Sequence, residues 1–361
     1  MIMAQDFYVP ALRWRQGEYQ ALFRLSDAAK DRVVPFLTIP PVEFDFELWA
    51  PKKSVHEHVA PFALRYKKKW KSRPAWIDFD KSLLASRMND GKDVFTHVFD
   101  SLREFNATAV PAIALDAEAA LITSVAAIVS KDRRGIAVRV RLEDLMKQKP
   151  GDRIAEILSG LGVARNETDL IVDLGAPNYE PYDAFSGALT MALGKVSDLN
   201  SYRNLVVIGT AIPESMKDVS KPGDNLPRHD WLFYKRLIEK LPASMRRPIF
   251  GDYTIVHPNF TALDMRKVKS AGKLVYTTER DWSVRKGGAF RDNPEQMHDH
   301  CATIVGSTSF KGSGYCYGDE YIANCATRAV GPSNQTRWKD VCINHHITRV
   351  LDDLSKIPAG A

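Results

Sequence analysis

No run in this chain approaches the roughly 18 apolar residues that a membrane-spanning helix needs. Residues 1–13 carry an acidic Asp6 and lack the apolar segment of a secretory signal. Cysteine is scarce: Cys301, Cys316, Cys325 and Cys342 are the four in 361 residues. None forms a C-x-x-C pair, so zinc-ribbon spacing is absent, and reduced, buried thiols are expected instead of disulfides. Four catalytic signatures are also missing: G-x-x-x-x-G-K-[ST], G-x-S-x-G, H-E-x-x-H and G-x-G-x-x-G. Their absence sets aside P-loop kinases, lipases, zincins and Rossmann dehydrogenases. There is no internal repeat beyond a strand–helix rhythm and no low-complexity tract. A soluble cytoplasmic protein without a membrane partner is the resulting expectation.

What is present is ordinary globular material, 45% hydrophobic and 26% charged, with enough apolar mass for one large core. The net charge of +6 is mildly basic and compatible with an anionic partner. Short apolar runs recur at residues 33–40, 75–80, 110–116, 135–141, 170–175, 205–211, 248–252 and 274–280. The intervals between most of them are long enough for helices. Repeated strand–helix units of this kind predict a (β/α)₈ barrel of the TIM type. The expected division is a barrel core over residues 1–284, a Gly- and aromatic-rich insertion or cap over 285–337, and a closing helix over 338–361. The insertion is expected to help close the top of the barrel.

Side chains alternate across a strand, so each barrel strand has one face toward the helices and one toward the interior. In 135–142, Ile136, Val138, Val140 and Leu142 share a bulky aliphatic face, which directs Ala137, Arg139 and Arg141 inward. The same argument turns Ile77, Phe79, Ile113, Leu115, Leu170, Val172 and Leu174 outward. It turns Trp76, Asp78, Asp80, Ala112, Ala114, Asp116, Ile171, Asp173 and Gly175 inward. Four successive strands thus send charge to the interior near their C-terminal ends, where active sites of such barrels sit. Buried charge requires a partner, and here both signs are available.

These positions define the candidates. Asp78, Asp80, Asp116 and Asp173 can supply a general acid and base, and Asp78, Asp80 and Asp173 can hold Mg²⁺ or Mn²⁺ through hard oxygen ligands. Equally, each can pair with Arg139 or Arg141 or cap a helix. His229, between Arg228 and Asp230, is a further acid/base candidate, unless Asp230 caps a helix and His229 lies on the surface. Arg13, Arg15, Arg139, Arg141, Arg228, Asp252, Arg280 and Lys286 are the ligand-binding candidates. Barrels often bind phosphate after their last two strands, and Gly287-Gly288 there would let backbone amides approach an anion. His298 and His300 are at loose metal spacing, and His346 is expected to be a core residue hydrogen-bonded by the insertion. Lys67–Lys69, flanked by Tyr66 and Trp70, offer a basic, aromatic patch for nucleic acid, or an exposed helix face.

Two stretches carry a family resemblance. Residues 8–22, with Pro10, Gly17-Glu18 and Ala21-Leu22, precede the Pro35-containing first apolar run, and Phe310, Gly318-Asp319, Trp338 and Asn344-His345-His346 recur near the end. Together they resemble the phage "beta protein" family, over nearly the whole chain. The resemblance implies a context, phage–host conflict in antiphage defence or its counter-factor, and not a reaction. The expected function is hydrolase- or lyase-type chemistry on an anionic small molecule or nucleotide. The alternatives are a non-catalytic sensor that recognises a phage protein or a partner encoded nearby, with the aromatic residues 310–321 as interface, and a nucleic-acid-binding protein.

Overall fold

The computed structural model describes residues 1–259 and 269–358; residues 359–361 of the expected closing segment lie outside them. Eight parallel strands close into a barrel: β1 (Val9–Leu12), β2 (Phe36–Ile39), β3 (Ala75–Phe79), β4 (Ala109–Ala114), β5 (Ile136–Arg141), β6 (Thr168–Gly175), β7 (Asn204–Gly209) and β8 (Ile249–Asp252). Each pairs with its chain neighbour, and β1 closes the ring between β2 and β8. At least one helix follows every strand, so the architecture is the (β/α)₈ type expected.

Seven of the apolar runs are barrel strands, and the run at 274–280 is not. It forms Ala271–Thr277, part of a separate antiparallel sheet with Gly223–Pro227 and Asp281–Ala289. Its place in the barrel belongs to β1, a four-residue strand at the N-terminus. The segment after β8 is therefore an excursion, and strand Asp281–Ala289 runs across the expected boundary at residue 284. Helices Gln296–Val305 and Tyr317–Ala326 pack on this sheet around Leu274, Tyr276, Met297, Cys301, Ile322 and Cys325. All four cysteines are free thiols.

The long helix Gln335–Ser355 joins the two parts. Its first half places Trp338, Val341 and Cys342 in the cap core. Its second half places Ile343, Ile347, Val350, Leu351 and Leu354 on the outer apolar layer of the barrel. Residues four apart lie on one helix face, so a single helix can serve two cores with successive turns.

Strand parity holds throughout. Ile77, Ile113, Val138, Val140, Leu170 and Val172 lie in the layer between strands and helices, whereas Trp76, Ala112, Ala137 and Ile171 fill a distinct interior cluster with Val9, Phe36, Val206 and Ile249. Below that cluster a buried polar plug seals the N-terminal end. Asp169 accepts from Arg203 Nε (2.8 Å) and Nη2 (2.6 Å), from Trp76 Nε1 (2.7 Å) and from Asn204 Nδ2 (2.6 Å). Gly135 makes the turn into β5 with φ +75°. A Cβ there would lie 1.9 Å from the Glu167 carbonyl oxygen, so only glycine fits.

Removing one partner of a buried charge pair costs far more than the pair contributes, because the other charge is left uncompensated. Asp169→Ala is therefore expected to lower unfolding free energy by about 3–5 kcal/mol in urea titrations. A loss below about 1 kcal/mol, the scale of a surface ion pair, would show that the plug is not structural.

Candidate ligand site at the barrel mouth

At the C-terminal ends of its strands the barrel opens into a cavity of about 1220 Å³. Its floor is built by the inward positions of three strands. Arg139 on β5 lies between Asp78 on β3 and Asp173 on β6. Its Nη1 donates to Asp78 Oδ2, and its Nε is 3.3 Å from Asp173 Oδ2. The remaining oxygens are also engaged. Asp78 Oδ1 accepts from Phe79 N (2.8 Å), Asp173 Oδ1 from Gly175 N (2.9 Å), and Asp173 Oδ2 from the Tyr253 hydroxyl (2.7 Å).

The electrostatics follow from this packing. Burial pushes the Asp78 carboxyl above its ordinary value, and the neighbouring guanidinium only partly offsets that. Burial also works against the Arg139 charge, but Asp78 and Asp173 outweigh it and hold the guanidinium protonated. The Tyr253 phenol is raised well above its usual range by burial and then by Asp173.

The other expected site residues divide into two groups. Arg13, Asp80, Asp116 and Arg141 line the same cavity. Asp80 caps the short helix Lys81–Leu84 through Ser82 N. Lys81 pairs with the exposed Asp116 and holds its carboxyl below the usual range. Arg13 donates to the carbonyls of His257 (3.0 Å) and Pro258. Arg141 is loosely held, with Glu143 at 3.8 Å and a third of its side chain exposed. Carboxylates outnumber cations along the wall, with Asp93, Glu118, Glu143 and Glu214 adding to the aspartates.

The second group lies elsewhere. Arg15 precedes helix Gln16–Phe23, where Glu18 accepts from its backbone N–H. Arg228 is fully buried and ties Asp353 of the closing helix (2.8 Å) to the Thr278 carbonyl (2.8 Å). Lys286 clamps the carbonyls of Met216, Lys217 and Val219. Arg280 is exposed on the turn between two strands of the cap sheet. The expected phosphate cradle at 280–288 is thus corrected: this hairpin follows no barrel strand directly, and Gly287 is pressed against Gln296. His229 is half-buried at the start of helix His229–Lys240, with Nδ1 2.6 Å from the Tyr182 hydroxyl and away from the cavity wall.

Nor do Asp78, Asp80 and Asp173 converge as metal ligands. A guanidinium occupies the space between two of them, and among the described residues these three form no metal-holding group. The expected lid is also corrected, since among the described residues none from 285–337 lines the cavity. Tyr66 and Trp70 are buried, so they cannot stack on bases, and Lys67 and Lys69 lie over Phe105 and Phe23. His298 is committed to the Cys325 carbonyl (2.6 Å).

Sequence reasoning missed one buried network beside the site. Asp252 Oδ2 faces His346 Nε2 (2.9 Å), and its Oδ1 accepts from the Tyr8 hydroxyl and from Thr254 N (2.7 Å). His346 Nδ1 meets Thr277 Oγ1 at 2.9 Å, so this histidine is the core residue expected, but its partners are Thr277 and Asp252 and not residues of the expected insertion at 285–337. Asp252 is accordingly a fastener between β8 and the closing helix and not a ligand contact. Burial, and then the charge of Asp252, pushes Asp230 up to about 7.

The fold and this site define a parallel α/β barrel with a polar cavity, richer in carboxylates than in cations, at its C-terminal mouth. The chain belongs to the Beta protein family, whose model matches residues 8–352. No curated protein matches the sequence. Among the described residues no helix is long and apolar enough to cross a membrane.

Asp230 gives a pH prediction. A carboxyl raised in the folded state keeps its proton from the unfolded value near 3.8 up to about 7, while the unfolded chain has already released it. Stability should therefore fall as pH rises through that window and level off above it. Asp230→Asn should flatten the slope and gain stability at pH 8 relative to pH 5 when melting temperatures are compared. An unchanged slope in the variant would rule out Asp230 as its source.

Proposed function

We propose that the barrel mouth binds a small polar molecule carrying an anionic group, such as a nucleoside phosphate, and performs hydrolase- or lyase-type acid–base chemistry on it. The observation that carries this reading is the Asp78–Arg139–Asp173–Tyr253 array at the base of an open cavity. Its charged groups are paired and rigidly placed, which is what preorganised electrostatics requires. Asp78, whose carboxyl burial raises above its ordinary value, is the acid–base candidate of the array. Arg141 is the cation for the anionic group, and Asp80 and Asp116 suit the hydroxyls or amines of the remainder. In the phage–host conflict that the family resemblance implies, such a pocket would read or process a phosphorylated small molecule. A protein encoded nearby would act on the result.

A second reading has its own support. All four oxygens of Asp78 and Asp173 already have partners. A floor so fully satisfied suits a non-catalytic sensor that binds the same ligand without turning it over.

Titration calorimetry against a panel of nucleoside phosphates tests both. Arg141→Ala should weaken binding about tenfold or more, the scale of one charge-assisted hydrogen bond, without unfolding the protein. If the site is catalytic, the wild type should turn the ligand over and Asp173→Asn should not; if it is a sensor, the wild type itself should return the bound ligand unchanged. The proposal fails if no nucleoside phosphate binds the wild type, or if both variants bind as the wild type does.

A further inference from the structure

The Gly318-Asp319 and Asn344-His345 motifs, 26 residues apart in the chain for each contact pair, meet in space on the cap side of the closing helix. Gly318 N donates to Asn344 Oδ1 (3.0 Å), and a Cβ on Gly318 would lie 2.5 Å from the Val341 carbonyl oxygen. The absence of a side chain there lets the two helices approach closely enough to bring Asp319 and His345 together. Cys316, at the N-terminus of helix Tyr317–Ala326, completes the group.

The contacts among these three side chains leave an unbalanced position. His345 Nε2 lies 2.8 Å from the Thr277 carbonyl oxygen, which can only accept, so Nε2 carries the ring hydrogen. Nδ1 then points at Asp319 Oδ2, another acceptor, 2.6 Å away. Two lone pairs cannot face each other at that distance unless a positive charge lies with them. Cys316 Sγ is 2.9 Å from the same oxygen. Sulfur, oxygen and nitrogen ligand atoms from three residues all lie within 4.8 Å of one another.

We propose that Cys316 Sγ, Asp319 Oδ2 and His345 Nδ1 form a zinc site. The donor set suits a borderline-soft divalent ion, and thiolate, imidazole and carboxylate bonds of about 2.0–2.3 Å require the present contacts to open by only about an ångström. The surrounding groups already do what a zinc site's supporting residues do. The Thr277 carbonyl fixes the ring of His345, the Tyr276 hydroxyl donates to Asp319 Oδ1 (2.7 Å), and the Tyr276 ring stacks on His345 at 3.9 Å. Three protein ligands leave a fourth position. A cavity of about 610 Å³, lined by Cys316 with Arg24, Tyr315, Tyr317 and Glu320, lies beside it and would admit water or a small ligand. This site is separate from the barrel mouth: Asp78, Arg139 and Asp173 line the other cavity.

The test uses untagged full-length protein, stripped with chelator and titrated with cobalt(II) and then zinc against a chromophoric competitor. The wild type should take up about one ion per chain and show a thiolate-to-cobalt charge-transfer band. Cys316→Ser should lose the band, and Cys316→Ser and Asp319→Asn should each weaken zinc binding at least about tenfold, while Cys342→Ser matches the wild type. X-ray absorption of zinc-loaded wild type should find one sulfur in the first shell, a readout that holds even where a variant fails to fold. No uptake by the wild type, a band that survives Cys316→Ser, or a zinc shell without sulfur would overturn the proposal. The positive charge between His345 and Asp319 would then be a proton.

Discussion

The guanidinium of Arg139, held between the carboxylates of Asp78 and Asp173, is the constraint on which the mouth of this barrel depends. Three strands, β3, β5 and β6, turn these charged side chains inward, and none of those charges could remain there alone. Because Arg139 serves both aspartates, and Tyr253 and two backbone amides take the remaining oxygens, no carboxylate oxygen of the floor is left without a partner. The apolar cluster of Trp76, Ala112, Ala137 and Ile171 fills the space below, so the polar layer sits on a packed base and not on a pore.

A second constraint is the single helix Gln335–Ser355, which closes the barrel after a long excursion. It is fastened by buried polar pairs instead of apolar contact alone: His346 to Asp252 at the end of β8, and Asp353 to Arg228. Each pair is directional and sits where a shifted helix would leave a buried charge unpaired. Such pairs add little net stability over apolar packing, and the cost of breaking them penalises every other register. The cap sheet shares in this, since Thr277 touches both His345 and His346.

Alternation and run length made the barrel legible in the sequence, together with the inward set of charges. Both rest on local geometry that every strand obeys. The strand β1 was not legible, because Val9-Pro10-Ala11-Leu12 is short, lacks alternation and is buried at all four positions. Residues 274–280 show the opposite failure: periodicity marks a strand but does not say which sheet it joins. The site was legible to the same degree. Asp78, Arg139 and Asp173 follow from parity, whereas Arg228, Asp252 and Lys286 look like ligand contacts in sequence and are fasteners in space. Tyr253, which completes the floor, carries no sequence signal beyond lying just after β8. Whether a charge serves a ligand or another part of the chain is decided by long-range packing, which periodicity does not encode.

The most direct test is a double-mutant cycle on Asp78 and Arg139, with Asp78→Asn, Arg139→Gln and the pair compared by urea unfolding. Two groups that neutralise each other in a partly buried site should couple, and the double variant should be more stable than the sum of the single losses allows by about 1 kcal/mol or more. Additivity within about 0.5 kcal/mol would mean that the two charges are independently solvated, and would contradict the account of a floor held by paired charges.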